Sequence, residues 1–300
     1  MGIVGIAVVV LAGGGRTPAP LGSGPPPSFA PLASGTVVLL GAGDIAVCDS
    51  DADEATARLL DALEGTVFTT GDNVYPSGTS DHFARCYDPT WGRHLERTRF
   101  PVAGNHEWDI DEASGYLEYF GTTAQPAATT WSAATVGSWR VIVLDSNCPA
   151  VGGCGEGSAQ LDWLRGELAA NTARCTVALW HHPRFSSGAH GGDDRTASFW
   201  RELYANDAEL ILNGHDHHYE RFAPQDPDGV ADAGAGIRQI VVGTGGAALR
   251  RLGADAPNSE SSNVATHGIL RLVLGTSGYE WAFVPVAGGT FTDAGAGTCH

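Results

Sequence analysis

The stretch LILNGHDHHYERF packs three histidines, His215, His217 and His218, into four residues at the end of an apolar run. Imidazoles placed this way make a metal site only when other donors join them. The same pattern recurs along the chain. Asp44 follows TVVLLGAG, Asp72 follows TVFTTG, Asn105 and His106 follow RFPVAG, and His181 follows TVALW. A glycine stands just before each of these groups except His181. Glycine there lets the backbone turn sharply and approach closely. Ligands of open α/β sheets bind beyond the carboxyl ends of the strands. Five strand ends would therefore aim oxygen and nitrogen donors at one rim. His215 and His217, two apart on a non-helical turn, point to one side, and His218 faces elsewhere.

The elements that must hold these ends read as follows. TVVLLGAGD and TVFTTGDN are buried strands, and DADEATARLLDALEG between them is an amphipathic helix, acidic at its start and closed by Gly65. A helix-like stretch near 80–97 leads to RFPVAGNHE. This β-α-β-α-β rhythm favours parallel strands. WSAATVGSWRVIVLD reads as a hairpin turning at Gly137-Ser138, SAQLDWLRGELAAN as a helix, and CTVALWHHP and AELILNGHD as further strands. The C-terminal part, from IRQIVVGTGG onward, reads as antiparallel hairpins. The fold class is α/β, with two packed mixed sheets flanked by helices.

The 300 residues carry 17 basic and 34 acidic side chains, a net charge of −17, and every basic residue is arginine. Such a chain repels nucleic acid and anionic membranes. A phosphate-bearing substrate needs local positive charge, which a metal pair supplies. MGIVGIAVVVLAGGG holds an apolar run too short for a membrane span, and residues 1–12 read as an export signal. Residues 13–35 read as a Pro/Gly/Ala-rich linker, 36–286 as the catalytic domain and 287–300 as a tail. The six cysteines form no CxxC pair. Cys148 and Cys154 flank a short Pro/Gly loop and are the easiest to bridge. Cys48 with Cys86 and Cys175 with Cys299 is one of the pairings open to the rest. The even count and the apolar start point to a secreted or extracytoplasmic protein.

The motifs GDNVY, GNHE, ALWHHP and GHDH resemble those of the metallophosphoesterase superfamily, and specifically its purple acid phosphatase branch. The small tartrate-resistant acid phosphatases are similar in length and plan. In the general series the first motif supplies a histidine two residues after its aspartate, where this chain has Ala46. The second motif ends here in Tyr75, the tyrosine that marks the purple branch. The first motif departs from the family at Ala46 and the fourth at Ala178, where neither residue offers a ligating side chain.

The resemblance implies a four-layer αββα calcineurin-like fold and a binuclear metal centre, Fe(III) with divalent Fe, Zn or Mn. It assigns Asp44, Tyr75 and His217 to the ferric ion, Asn105, His181 and His215 to the divalent ion, and Asp72 to both. Hard oxygen donors suit the trivalent ion and imidazoles the divalent one. It implies that His106 faces the substrate, that Glu107 orients His106, and that His190 lies near the leaving group. The activity implied is hydrolysis of small phosphomonoesters by attack of a metal-bound hydroxide. A phosphodiesterase or nucleotidase would use the same ligand set, with specificity in the loops at 76–95, 146–157 and 184–195. His182 reads as structural.

Overall fold

Short apolar runs make the central strands of this protein, and its computed structural model describes residues 29, 32–124, 126 and 129–300. The segment read as an export signal and most of the linker lie outside the described residues. In chain order the strands are β1 (Val37–Ala42), β2 (Ala46–Val47), β3 (Thr66–Thr69), β4 (Val74–Tyr75), β5 (Thr98–Phe100), β6 (Ser132–Val136), β7 (Trp139–Val143), β8 (Cys175–Leu179), β9 (Leu210–Asn213), β10 (Tyr219–Phe222), β11 (Arg238–Val242), β12 (Ser259–Asn263), β13 (Gly268–Leu274), β14 (Gly278–Pro285) and β15 (Ala294–Thr298). The helices are α1 (Ala52–Ala62), α2 (Ser80–His82), α3 (Asn105–Trp108), α4 (Ser114–Phe120), α5 (Ala159–Ala170) and α6 (Ala197–Ala205).

Two mixed sheets carry the fold. One has six strands in the order β15-β14-β13-β1-β3-β5, and the other has seven in the order β12-β10-β11-β9-β8-β7-β6. In the first, β1, β3 and β5 run parallel, as the β-α-β-α-β rhythm predicts. In the second, β7, β8, β9 and β11 run parallel. Alternation divides the second sheet's side chains between two cores. Val141, Val143, Val177, Leu179, Leu210 and Leu212 join the core shared with the first sheet. Ile142, Ala178, Trp180 and Ile211 point outward and are covered by Leu161, Leu164 and Leu168 of α5 and by Phe199, Trp200 and Leu203 of α6. Ser158 starts α5 by accepting the Leu161 N–H on its side-chain oxygen at 3.3 Å.

Two parts of the C-terminal reading need correction. The strand in IRQIVVGTGG is not only hairpin material, because β11 pairs antiparallel with β10 but parallel with β9. Apolar patterning marks a strand without fixing its partner's direction, so the carboxyl end of β11 joins the rim unannounced. The segment 287–300, read as a tail, is bridged through Cys299 and also holds a strand of its own. Its residues 294–298 form β15 and pair antiparallel with β14 across five positions. Small side chains hid this strand, since an edge packed on Trp281 and Tyr279 has room for little else.

The cysteines pair as Cys48–Cys86, Cys148–Cys154 and Cys175–Cys299. The last closes a loop of 124 residues and ties the end of β15 to the start of β8 in the other sheet. A long closed loop restricts the unfolded chain most, by about 3–5 kcal/mol in the chain-entropy picture. The double substitution Cys175→Ala/Cys299→Ala should lower unfolding stability by that amount in urea titration. It should also speed amide exchange selectively in residues 294–298. Unchanged exchange there would show that pairing with β14 holds the strand unaided.

Candidate metal centre

Five strands, β1, β3 and β5 from one sheet and β8 and β9 from the other, release their chains toward one place where the sheets meet. The His181 ring donates from Nδ1 to the Thr70 carbonyl at 2.8 Å and so crosses from one sheet to the other. The Gly43 N–H donates to the Val242 carbonyl at 2.9 Å, which brings in β11. The turns are tight. Asp44, Asp72 and His215 hold φ of 57°, 50° and 71°, a left-handed conformation that non-glycine residues rarely adopt. The preceding glycines are needed for close approach. A Cβ on Gly104 would overlap the Asp72 side chain, and one on Gly71 would overlap the His181 ring.

Each aspartate divides its oxygens between scaffold and centre. Asp72 accepts the His106 N–H on Oδ1 at 2.9 Å and leaves Oδ2 toward the centre. Asp44 accepts the His215 N–H on Oδ2 at 2.9 Å and leaves Oδ1. The backbone of one motif is thus fixed by the carboxylate of another. The histidines are fixed in the same manner. His217 donates from Nδ1 to the Ala248 carbonyl at 2.9 Å, as His181 does to Thr70, so both present Nε2.

The free donor atoms form two groups. Around the Tyr75 hydroxyl lie Asp44 Oδ1 at 3.0 Å, Asp72 Oδ2 at 3.1 Å and His217 Nε2 at 3.1 Å. Around His181 Nε2 lie Asn105 Oδ1 at 3.2 Å, Asp72 Oδ2 at 3.3 Å and His215 Nδ1 at 3.3 Å. Adjacent ligands of an octahedral ion with bonds of about 2.1 Å are about 3.0 Å apart. All seven sequence-derived ligand candidates are therefore brought together, with Asp72 Oδ2 common to both groups. The donor set fits a pair of metal ions. Those ions would be held by Asp44, Tyr75 and His217 on one side and by Asn105, His181 and His215 on the other.

The electrostatics agree. Asp44 and Asp72 are buried, and among the described residues their ion-pair partners are histidines rather than arginines. Burial, then the charges of Asp44 and Asp72, pushes the Tyr75 phenol well above its usual 10. Burial opposes charge on His181, yet Asp72 raises this imidazole to about 9. Burial and the neighbouring His181 press His215 down to about 2, leaving it neutral and ready to coordinate. The metal-free protein therefore carries protons at Tyr75 and His181 at neutral pH.

The remaining candidates are placed differently. The His106 ring lies tilted against the Tyr75 ring at 4.4 Å, donates from Nδ1 to the Pro76 carbonyl at 2.6 Å and puts Nε2 3.8 Å from Asp72 Oδ2. Glu107 does not orient it. The helical turn of α3 sends this side chain inward, where it accepts the N–H groups of Gly104 at 2.7 Å and Asn73 at 2.9 Å. Burial and then the charge of Asp72 raise its carboxyl to about 8. The acid near His106 Nδ1 is Asp109, at 3.6 Å. His190 stands at the rim with its ring 4.4 Å from that of His215. His182 is buried, its Nδ1 2.8 Å from Ser146 Oγ, and His218 Nε2 lies 3.0 Å from Glu220, so both serve the scaffold.

Sequence reasoning missed Asp216, Glu220 and Arg250. Asp216 alternates away from its histidine neighbours and accepts the His190 N–H at 2.9 Å and the Ser186 hydroxyl. Glu220 accepts the Ser187 N–H at 2.8 Å. Together they fix the loop that carries His190. Arg250 follows the glycines after β11, the same strand-end signal that marks the ligands, and lines a cavity of about 320 Å³ with Tyr75, His106 and His217. The loops expected to set specificity contribute little to this cavity. Its wall comes from Val47–Asp49, beside the Cys48–Cys86 bridge, and from Ala247–Arg250.

Metal loading must expel the protons on Tyr75 and His181, because ligands bind deprotonated. The folded value of about 9 at His181 means that affinity should rise with pH through neutrality and flatten near 9 at that group. Calorimetry at pH 7 in buffers of different ionisation enthalpy should read about two protons released per loaded site. Proton-neutral binding would contradict the ligand set.

Comparison with known proteins places this geometry. An uncharacterized protein of Mycobacterium tuberculosis is 29% identical over 210 residues, covering 61% of this chain and 37% of its own length. Purple acid phosphatase 15 of Arabidopsis thaliana is 28% identical over 217 residues, covering 60% and 40%. The match thus takes in less than half of each curated relative. Among solved structures, a purple acid phosphatase from yellow lupin (Lupinus luteus) seeds superposes with a TM-score of 0.68 at 17% identity, over 87% of this chain and 53% of its own. GAP50, described as the anchor in the inner membrane complex of Plasmodium, does so with 0.67 at 14% identity, over 88% and 89%. The fold is shared with these two structures. Residues 38–219, more than half of the chain, match the model for calcineurin-like phosphoesterases, and this protein belongs to that family.

Proposed function

We propose that this protein is a secreted, binuclear metal-dependent phosphomonoesterase of the purple acid phosphatase kind. The observation that carries the proposal is the pair of donor groups sharing Asp72 Oδ2. Tyr75 in the first group supports Fe(III) there, with divalent Fe, Zn or Mn beside His181. Three disulfides support an oxidising compartment.

A metal pair in this site supplies an acidified water and positive charge for the phosphoryl oxygens. The protein's own groups do the rest. Asp44 and Asp72 keep the donors in register through their second oxygens. Pro76 fixes the His106 ring so that Nε2 faces the cavity. From there, once protonated, Nε2 donates to a phosphoryl oxygen or to the leaving alkoxide. The ester P–O bond breaks, water's oxygen stays on phosphorus and the proton goes to the alcohol. His190 stands on the His215 side of the same seat.

The Asp72→Asn protein should lose both metals in elemental analysis, and its kcat/KM on phenyl phosphate should drop by at least about a thousandfold. Full turnover in that variant would overturn the proposal. A purple wild-type preparation should bleach in the Tyr75→Phe variant. A colourless, active, zinc- or manganese-loaded protein would retain the fold reading and refute the ferric assignment.

A further inference from the structure

Among the described residues, Arg250 is the one arginine lining the cavity above the donor groups. Its place is fixed by two backbone ties to a ligand segment. The Arg250 N–H donates to the His217 carbonyl at 3.0 Å, and the His217 ring donates to the Ala248 carbonyl at 2.9 Å. The guanidinium then reaches His190, with Nη1 against Nε2. A guanidinium only donates, so His190 Nε2 accepts and the ring's proton sits on Nδ1. That arrangement turns His190 into a rest for the guanidinium and takes Nε2 away from any leaving group.

The charge pattern sharpens the point. Arg184, Arg221 and Arg238 each close on a carboxylate. Arg250 forms no ion pair among the described residues, in a chain whose acidic side chains outnumber its basic ones by 34 to 17. An exposed arginine that lines the cavity and spends only Nη1 on a neutral ring offers a fork for phosphate.

We propose that Arg250 is the specificity-determining residue of this site and that it selects dianionic phosphomonoesters over monoanionic diesters. The inference rests on the phosphoesterase reading and deepens it. A monoester offers three non-bridging oxygens, so one remains for the guanidinium when the others face the donor groups. A diester has a second organic group at that place, which meets a cation instead of a partner.

The test compares metal-loaded wild type, Arg250→Ala and Arg250→Lys on phenyl phosphate and bis(phenyl) phosphate, with metal content checked in each. Arg250→Ala should lose at least about 30-fold in kcat/KM on the monoester and less than about threefold on the diester. Arg250→Lys should recover only part, because a lysine cannot present the fork. Added methylguanidinium should partly rescue Arg250→Ala on the monoester. Equal losses on both esters, or none, would overturn the proposal. If the wild type cleaves neither ester, the phosphoesterase reading fails, and calorimetric titration with inorganic phosphate still judges Arg250. Weaker phosphate binding by Arg250→Ala would then support an anion-binding role, and unchanged binding would overturn it.

Discussion

Two buried carboxylates, Asp44 and Asp72, lie side by side beyond the ends of the neighbouring strands β1 and β3, and the rest of the site follows from their charge. Buried anions are costly unless paired, and among the described residues no arginine forms an ion pair with these two, which leaves the imidazoles, His181 above all, to offset their charge. Each carboxylate gives one oxygen to a backbone N–H of another motif and turns the other to the centre. The scaffold is therefore assembled by the same groups that demand a metal. Binding and folding of this region are coupled through shared atoms.

Much of this was legible in the sequence because strand ends announce themselves. An apolar run, a glycine and a donor recur at β1, β3, β5 and β9, and the glycines prove to be places where a Cβ would overlap a neighbouring motif. The parallel order of the first sheet was legible for a related reason, since short helical crossovers leave few other routes. What stayed hidden was non-local. Arg250 shows its role only once β11 is seen to run parallel to β9 and to end at the same rim. Glu107 looked like a partner for its neighbour in sequence. Its helical turn instead sends it into the interior, where it holds the β3 and β5 loops together. β15 was hidden by composition, because Ala-Gly-Ala-Gly-Thr has no apolar alternation to read.

The two faces of the second sheet illustrate a division of labour. Its inner side chains join the common core and fix how the sheets stack, while its outer ones bind α5 and α6. The chemistry lies on neither face. It sits at the carboxyl ends, where side chains have left the period-two pattern and are governed by turns, and there the cavity wall is set by loop backbone rather than by core packing.

The left-handed turns at Asp44, Asp72 and His215 give the donors unequal freedom to change. A β-branched or bulky replacement at those places would strain the backbone whatever its side chain offered a metal. Tyr75 belongs to β4, and its backbone is not left-handed. The backbone thus divides the donors in two: exchange at 44, 72 or 215 meets left-handed strain, while exchange at 75, 105, 181 or 217 is limited by what the side chain itself offers and touches.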